Sequence, residues 1–199
     1  YGLRTSITFG LVLVTCSMLV GTLIGAWQGL HGGWRDILGQ RLIEIWESLP
    51  FLYIVMLLGS VLGRSLWLLT TCYAVFNWIG ISYYMRAEFL RLRKQPYVEA
   101  ARCLGVPPWR IMLQHILPNA LAPVLVPITF GVASAILLEN ALRFLGLGDT
   151  STASWGALLN EGQRNLTMWW LIVFPGGVIF LTVLAYNLIG EGLQEATDP

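Results

Sequence analysis

The chain is poor in charged residues. Only 12% of its 199 residues are Asp, Glu, Lys or Arg, whereas 56% are hydrophobic. A soluble domain normally carries about a quarter charged residues, so this composition is typical of an integral membrane protein. The net charge of +1 also argues against a nucleic-acid partner, which would favour a strongly basic face.

The chain is also poor in cysteine and histidine. Its three cysteines, Cys16, Cys72 and Cys103, are odd in number and widely spaced, which predicts free thiols and argues against a disulfide framework. The two histidines, His31 and His115, have no cysteine or histidine at a spacing typical of metal ligands. We therefore predict no metal site.

Two further absences bear on the class of membrane protein. The sequence has no GxxxxGK[ST] motif, so we do not expect the chain to hydrolyse ATP itself. The apolar stretches 6–27, 66–84 and 169–189 contain no Asp, Glu, Lys or Arg. Ion-coupled carriers usually hold ionisable groups deep in their spans, so this argues against a stand-alone secondary transporter or channel. No catalytic constellation appears, which argues against an enzyme.

Long apolar runs make up most of the sequence. Each is close to the ~20 residues that a helix needs to cross a bilayer. Spans are predicted at 6–27, 41–62, 66–84, 120–142 and 167–190. The predicted fold class is therefore an all-α membrane protein, a polytopic helical bundle of about five spans in a single transmembrane domain over 1–199. Pro50 should kink or interrupt the second span, and 143–166 is predicted as a loop.

The distribution of lysine and arginine predicts the orientation. With five spans, the loops 28–41 and 85–119 share one side of the membrane with the C-terminus. That side holds more basic residues, so the positive-inside rule places the polar insert 85–119 in the cytoplasm. The inner set is Arg35, Arg41, Arg86, Arg91, Arg93, Lys94, Arg102 and Arg110, and the outer set is Arg4, Arg64, Arg143 and Arg164. Topology accounts for the basic run RLRK at 91–94 without a further role.

The polar insert carries its own helix signals. Pro96 can begin a short helix. Glu99, near its start, stabilises the helix through the helix dipole and can contact the arginine three residues later. Gly105 is a natural C-terminal stop because glycine accepts the left-handed conformation. A second helix should begin at the prolines 107–108 and run until Pro118. The insert is thus predicted as two helices joined by a turn, outside the membrane.

The spacing in this insert resembles the EAA…G…LP motif of permease subunits of bacterial ABC importers. The matching residues are Glu99, Ala100, Ala101, Gly105, Leu117 and Pro118. Where the general pattern has isoleucine this chain has His115, and its HILPN segment is similar to that of the peptide and nickel branch. The stretches at 139–163 and 187–199 resemble the outer loop and the C-terminal end of C-type permeases of that branch. The family's N-terminal helix is expected to be absent from this sequence.

The resemblance implies a transport function without a catalytic site. In that family the insert forms a coupling helix that docks on a cytoplasmic ATPase, and closure of the ATPases switches the spans between inward and outward openings. The docking residues would be Glu99, Ala100, Ala101, Arg102 and Gly105, and the re-entry into the fourth span would be formed by His115, Leu117, Pro118 and Asn119. The chain would bind no cofactor, since the partner ATPases use the ATP and Mg²⁺.

The resemblance also implies partners and a substrate class. A second permease subunit, identical or different, would complete the pore in the bacterial inner membrane. Two ATPase subunits or domains would lie in the cytoplasm, and a periplasmic or lipid-anchored binding protein would deliver the substrate. Peptides or peptide-like solutes are the implied substrates, and nickel or another small solute is the alternative. A non-transporting membrane assembly subunit would explain the apolar spans but not the insert.

Two polar residues in the predicted spans are candidates for the substrate path. Glu139, near the outer end of the fourth span, is either a substrate contact or an interfacial charge at a helix end. Asn77, in the middle of the third span, is either a substrate contact or a partner in a hydrogen bond between helices.

Overall fold

The computed structural model describes residues 2–63, 65–148 and 154–197, and these residues form helices and no strand. The helices are α1 (Gly2–His31), α2 (Gly33–Glu47), α3 (Phe51–Leu62), α4 (Leu66–Leu92), α5 (Pro96–Cys103), α6 (Pro108–Arg110), a π segment (Ile111–Ile116), α7 (Leu117–Phe144), α8 (Trp155–Arg164) and α9 (Trp170–Thr197). The predicted all-α fold class is confirmed. Arg64, placed above in the outer set, lies outside the described residues.

Within the described residues, three helices are long and apolar enough to cross a membrane: α1 over Ser6–His31, α7 over Val126–Phe144 and α9 over Trp170–Ala196. Helices α2 and α3 are a further candidate as one broken span, since they are bent by 61° at their junction. Pro50 lies at that junction, directly before α3, so the predicted interruption is confirmed. The count of five spans stays a prediction.

Helix α4 is longer than the apolar run that predicted it. It has 27 residues, contains the predicted third span, and continues beyond residue 84 to Leu92. The polar residues in this extension, such as Arg86 and Glu88, have good helix propensity, so the change in hydropathy does not end the helix. The first part of the polar insert is therefore a continuation of α4.

Glycines bring α1 and α4 into close contact. Gly21, Gly25 and Gly29 recur at every fourth residue of α1. A Cβ atom on Gly21 would lie 2.6 Å from the carbonyl oxygen of Trp78, and one on Gly29 would lie 2.5 Å from Cβ of Phe89. Small residues at this spacing let helix backbones approach closely in a membrane. The C-terminal half of α1 is therefore held tightly against α4.

The core consists of three hydrophobic clusters. One joins α1, α3, α4 and α7 and includes Leu13, Val55 and Leu69. Another joins α1, α7, α8 and α9 and includes Trp155 and Ile179. The third surrounds α5 and is described below. Because α1 and α7 contribute to all three clusters, they form the centre of the bundle.

The outer stretch predicted as a loop contains helix α8. The hydroxyl of Ser154 accepts a hydrogen bond of 3.2 Å from the backbone N–H of Ala157 and so caps the helix. The N–H of Gly156 donates a bond of 2.9 Å to Oδ1 of Asn140 on α7. The prediction of a loop over 143–166 was therefore wrong for the residues of α8, because a short amphipathic helix needs its packing partner to be recognised.

Candidate coupling site

Helix α5 has the predicted ends. Pro96 occupies its first turn. At the other end Gly105 has a φ of +75°. The N–H of Gly105 donates a bond of 3.0 Å to the carbonyl of Arg102. The next N–H, of Val106, donates one of 3.1 Å to the carbonyl of Ala101. These two bonds form a Schellman motif, so the predicted glycine stop is confirmed.

The two faces of α5 differ in exposure. Val98 and Ala101 are buried, with exposed fractions of 0% and 6%. Glu99, Ala100 and Arg102 are exposed. Ala101 was predicted to dock on a partner together with its neighbours, but its side chain faces the interior of this chain. Its position three residues after Val98 puts both on one side of the helix, so Ala101 anchors α5 to this chain, and its part in docking stays a prediction.

The buried face of α5 belongs to a hydrophobic cluster that we call the coupling cluster. It joins α5 to the C-terminal part of α1, the C-terminal half of α4, the π segment and the first turns of α7. Its buried members are Ala26, Ile81, Met85, Phe89, Leu92, Val98, Ala101, Ile111, Ile116, Ala120 and Val124. Because protein interiors are close-packed, a displacement of α5 is transmitted to α4 and α7.

The chain remains helical at Pro118. A helical run begins at Pro108, continues through the π segment and ends with α7 at Phe144. At the end of the π segment the N–H of Leu117 donates to the carbonyl of Met112, five residues earlier. The predicted stop at Pro118 is therefore wrong. The wider π turn has already changed the bonding pattern, so the missing N–H of the proline disturbs the helix less.

The side chain of Asn119 supports the backbone around that proline. Its Nδ2 donates a hydrogen bond of 2.8 Å to the carbonyl oxygen of His115. Pro118, which lies between them, has no N–H to offer. The residues predicted to form the re-entry, which also include Leu117, thus lie together on one turn where the π segment becomes α7.

Exposed apolar side chains that were not predicted from the sequence surround α5. Leu104 is 83% exposed and Trp109 is 56% exposed. Tyr97 and Leu113 are 41% and 45% exposed. The guanidinium of Arg110 lies 5.3 Å from the ring centroid of Trp109. Their apolar character inside a polar insert was the feature of the sequence that pointed to them. We call Tyr97, Leu104 and Trp109 the apolar rim of α5.

One arginine of the RLRK run has a specific structural contact. Nη1 of Arg93 donates to the carbonyl oxygens of Gly29 at 3.2 Å and Leu30 at 3.4 Å, at the C-terminal end of α1. A cation at this end also interacts favourably with the helix dipole. Topology alone therefore does not account for Arg93. By contrast, the expected contact between Glu99 and Arg102 is not among the ion pairs of the described residues.

A bidentate ion pair fastens α2 to α4. Nε and Nη2 of Arg86 lie 2.5 and 2.6 Å from the two carboxylate oxygens of Asp36. Asp36 is buried, at 6% exposed. The hydrogen bonds that Arg86 donates to Asp36 raise the pKa of Arg86, so the guanidinium stays charged. The pair holds α2 beside the part of α4 that enters the coupling cluster.

The structure separates the two candidates for the substrate path. Glu139 is fully buried; its Oε1 lies 2.5 Å from Nε of Arg143, and its Oε2 accepts a bond of 2.8 Å from Ser6. These partners lie inside the chain: Arg143 forms an ionic contact with one carboxylate oxygen, and Ser6 donates a hydrogen bond to the other. Nδ2 of Asn77 donates a longer bond of 3.3 Å to the hydroxyl of Ser17 on α1. Asn77 also lines a cleft of about 810 Å³. The predicted hydrogen bond between helices is therefore present, and the substrate contact stays a prediction.

The arrangement of helices is that of an ABC transporter permease. The fold is similar to chains of the MetNI methionine ABC transporter in inward-facing conformations. The TM-scores are 0.77 and 0.80 at 15% and 14% sequence identity, over 100% of this chain and 95% of the compared chains. Residues 21–199 match the family described as binding-protein-dependent transport system inner membrane component, and the chain belongs to that family. Family membership and the apolar helices make it a multi-pass inner-membrane protein.

Relatives with higher identity extend over the whole chain. It is 42% identical to the peptidoglycan transport system permease protein YejE of Agrobacterium fabrum and 41% identical to the inner membrane ABC transporter permease protein YejE of Escherichia coli. It is 38% identical to the oligopeptide transport system permease protein OppC of Haemophilus influenzae. These alignments cover 100% of this chain and 52%, 59% and 64% of the relatives, so the chain spans about half to two thirds of their length.

Proposed function

We propose that this chain is a pore-forming subunit of an ATP-driven importer that moves peptides or peptide-like solutes into the cytoplasm. A binding protein outside the membrane delivers the substrate. A second permease subunit completes the pore, and cytoplasmic ATPase subunits supply the energy. The chain alternates between inward and outward openings as the ATPases close and open.

The observation that carries this proposal is the two-sided environment of α5. Its inner face, at Val98 and Ala101, is packed into the coupling cluster with α4 and α7. Its outer face and the apolar rim are exposed, with Leu104 at 83%. A partner that binds the exposed side of such a short helix can displace it, and the helix then displaces the membrane helices packed against its buried side. Exposed apolar groups in a polar segment favour a protein partner.

The substrate class is supported by the names of the relatives. The OppC proteins of Haemophilus influenzae and Bacillus subtilis are named as oligopeptide permeases, at 38% and 36% identity. DppC of Bacillus subtilis, at 35% identity, is named as a dipeptide permease. Because several permeases named for peptides share 35–38% sequence identity with this chain, a peptide is favoured over nickel as the substrate.

Crosslinking tests the docking of α5. Cys103 is exposed on α5, and Cys16 is exposed on α1, so each can serve as the single thiol of a variant in which the other cysteines are replaced by serine. In the assembled transporter, a short bifunctional thiol reagent should join Cys103 to an ATPase subunit, and Cys16 should give no such product. Crosslinks from Cys16 but not from Cys103 would contradict the proposed docking.

Uptake tests the energy source. Proteoliposomes that contain the chain, its partner permease and the ATPases should import labelled peptide only when ATP and the binding protein are supplied. Uptake that continues after the ATPase subunits are omitted would contradict the proposal and favour a stand-alone carrier.

A further inference from the structure

A long cleft opens between α4 and α7, with contributions from α1 and α9. Its volume is about 810 Å³, which lies in the range of known ligand pockets, about 300–1,000 Å³. The described residues that line it include Asn77, Gly80 and Tyr84 of α4, Ile128 and Ser134 of α7, and Gln194 of α9, and the others are Val14 and further apolar residues of α4 and α7. No charged residue is among them.

The polar groups of the cleft are neutral amides and hydroxyls. They belong to Asn77, Tyr84, Ser134 and Gln194. Ser134 is exposed and lies near the middle of the membrane-crossing stretch Val126–Phe144. Polar side chains within a membrane generally face the interior of a bundle or a water-filled cavity, because contact with lipid is unfavourable. Their position therefore favours a hydrated passage.

The cleft has room beside the backbone of α4. A Cβ atom on Gly80 would meet no heavy atom within 4 Å. On the same helix the side chain of Tyr84 is 55% exposed. An extended chain can therefore approach the wall of α4 closely, with its amide groups within reach of the neutral side chains.

The wall of the cleft is continuous with the coupling cluster. Ile81 lines the cleft and is also a buried member of the cluster that contains Val98 and Ala101 of α5. Ile128, from the opposite wall, packs against the same cluster. A movement of α5 is therefore expected to shift α4 and α7 relative to each other and change the width of the cleft.

We propose that this cleft is the surface that the chain contributes to substrate passage, and that it takes the peptide backbone without selecting for side-chain charge. The inference rests on the proposed function. Amide and hydroxyl groups match the donors and acceptors of a peptide backbone. The described lining carries no fixed charge and so neither attracts nor repels acidic or basic side chains, and peptides of either charge should pass at similar rates.

Charge substitutions at Ser134 test this proposal in the complete transporter in proteoliposomes. Uptake of the tripeptides Ala-Ala-Ala, Ala-Asp-Ala and Ala-Lys-Ala is measured for each variant. Ser134→Asp should lower uptake of Ala-Asp-Ala about tenfold relative to Ala-Lys-Ala, and Ser134→Lys should reverse this ratio. Ser134→Asn, which matches aspartate in size but has no charge, should keep the ratio of the original protein.

The outcomes separate this inference from the proposed function. If the original transporter imports the peptides but both charged variants change all three rates by the same factor, the cleft is not the passage. If it imports none of the three with ATP and the binding protein present, the proposed function itself fails.

Thiol labelling tests whether the cleft is the substrate passage where a charged variant does not reach the membrane. Ser134→Cys is compared with Thr71→Cys in a background without Cys16, Cys72 and Cys103. Both hydroxyl side chains are exposed and bond to the carbonyl four residues earlier, but only Ser134 lines the cleft. Saturating peptide should slow labelling by a charged methanethiosulfonate reagent at position 134 several-fold and leave position 71 unchanged. Equal rates with and without peptide at position 134 would overturn the proposal.

Discussion

Glu139 and Arg143 form an ion pair, with 2.5 Å between Oε1 and Nε, and their side chains are 0% and 1% exposed. Ser6 on α1 donates to the same carboxylate at 2.8 Å. The hydrogen bond from Ser6 to Glu139 therefore ties the beginning of α1 to the C-terminal part of α7 within the interior of the chain. This explains why a charged residue is present near the end of an apolar helix without assigning it to the substrate.

Removal of Glu139 is expected to destabilise the protein. Glu139→Ala removes the carboxylate from a buried ion pair and should lower the free energy of unfolding by about 3–5 kcal/mol. Thermal unfolding in detergent measures the loss, with Glu161→Ala, at an exposed position on α8, as the control. A Glu139→Gln variant that unfolds like the original protein but imports no peptide would instead place Glu139 in the substrate path.

The close contact between α1 and α4 predicts a strong effect at Gly25. A Cβ atom there would collide with the carbonyl oxygen of Ser82 and lie 2.8 Å from Cβ of Met85. Gly25→Ala should therefore lower the free energy of unfolding by about 1–3 kcal/mol. Gly192→Ala, where a Cβ meets nothing within 4 Å, is the matched helical control and should be neutral or slightly stabilising. Equal stability of the two variants would contradict this close approach of the two helices.

The turn at Gly105 predicts a defect in coupling. Gly105 and Gly63 have φ of +75° and +86°, and both have open space around a Cβ. Alanine should cost about 1–2 kcal/mol in stability at Gly105. At Gly63, whose ψ of 163° lies outside the left-handed helical region, it should cost about 1–3 kcal/mol. Gly105→Pro should abolish uptake while the chain still reaches the membrane, because proline cannot adopt a positive φ and loses the N–H that bonds to Arg102.

Comparison of the two alanine variants isolates the coupling role of the turn at Gly105. Uptake should fall with Gly105→Ala and remain with Gly63→Ala, since only Gly105 borders α5. The same loss of uptake in both variants would mean that reduced stability, and not coupling, is the cause.

The apolar rim predicts a change in assembly without a change in stability. Leu104 is 83% exposed, so Leu104→Asp removes little contact within the chain. If Leu104 is buried by an ATPase, the charge should weaken its binding about tenfold or more. Co-purification of the ATPase measures this, and Leu166→Asp, at a position 74% exposed beside α8, is the control. Unchanged recovery of the ATPase with Leu104→Asp would exclude Leu104 from the docking surface.

Several features could be predicted from short stretches of sequence. The interruption at Pro50 and the helix stop at Gly105 depend on the backbone chemistry of one residue. The glycines at 21, 25 and 29 carry the small-residue spacing of a helix contact, but only the structure identifies α4 as their partner. The apolar character of Leu104 in a polar segment was a signal, but it did not decide exposure, because an apolar residue there is equally consistent with a small core.

The sequence by itself determined the membrane class, the all-α fold and the two ends of α5, because hydropathy and the conformations of proline and glycine are properties of local residues. Tertiary structure decided which side of α5 is buried, the partners of Glu139 and the cleft beside Asn77. Each of these depends on residues that are far apart in the chain. Such contacts arise only when α1, α4 and α7 pack together, and no short stretch of sequence contains them.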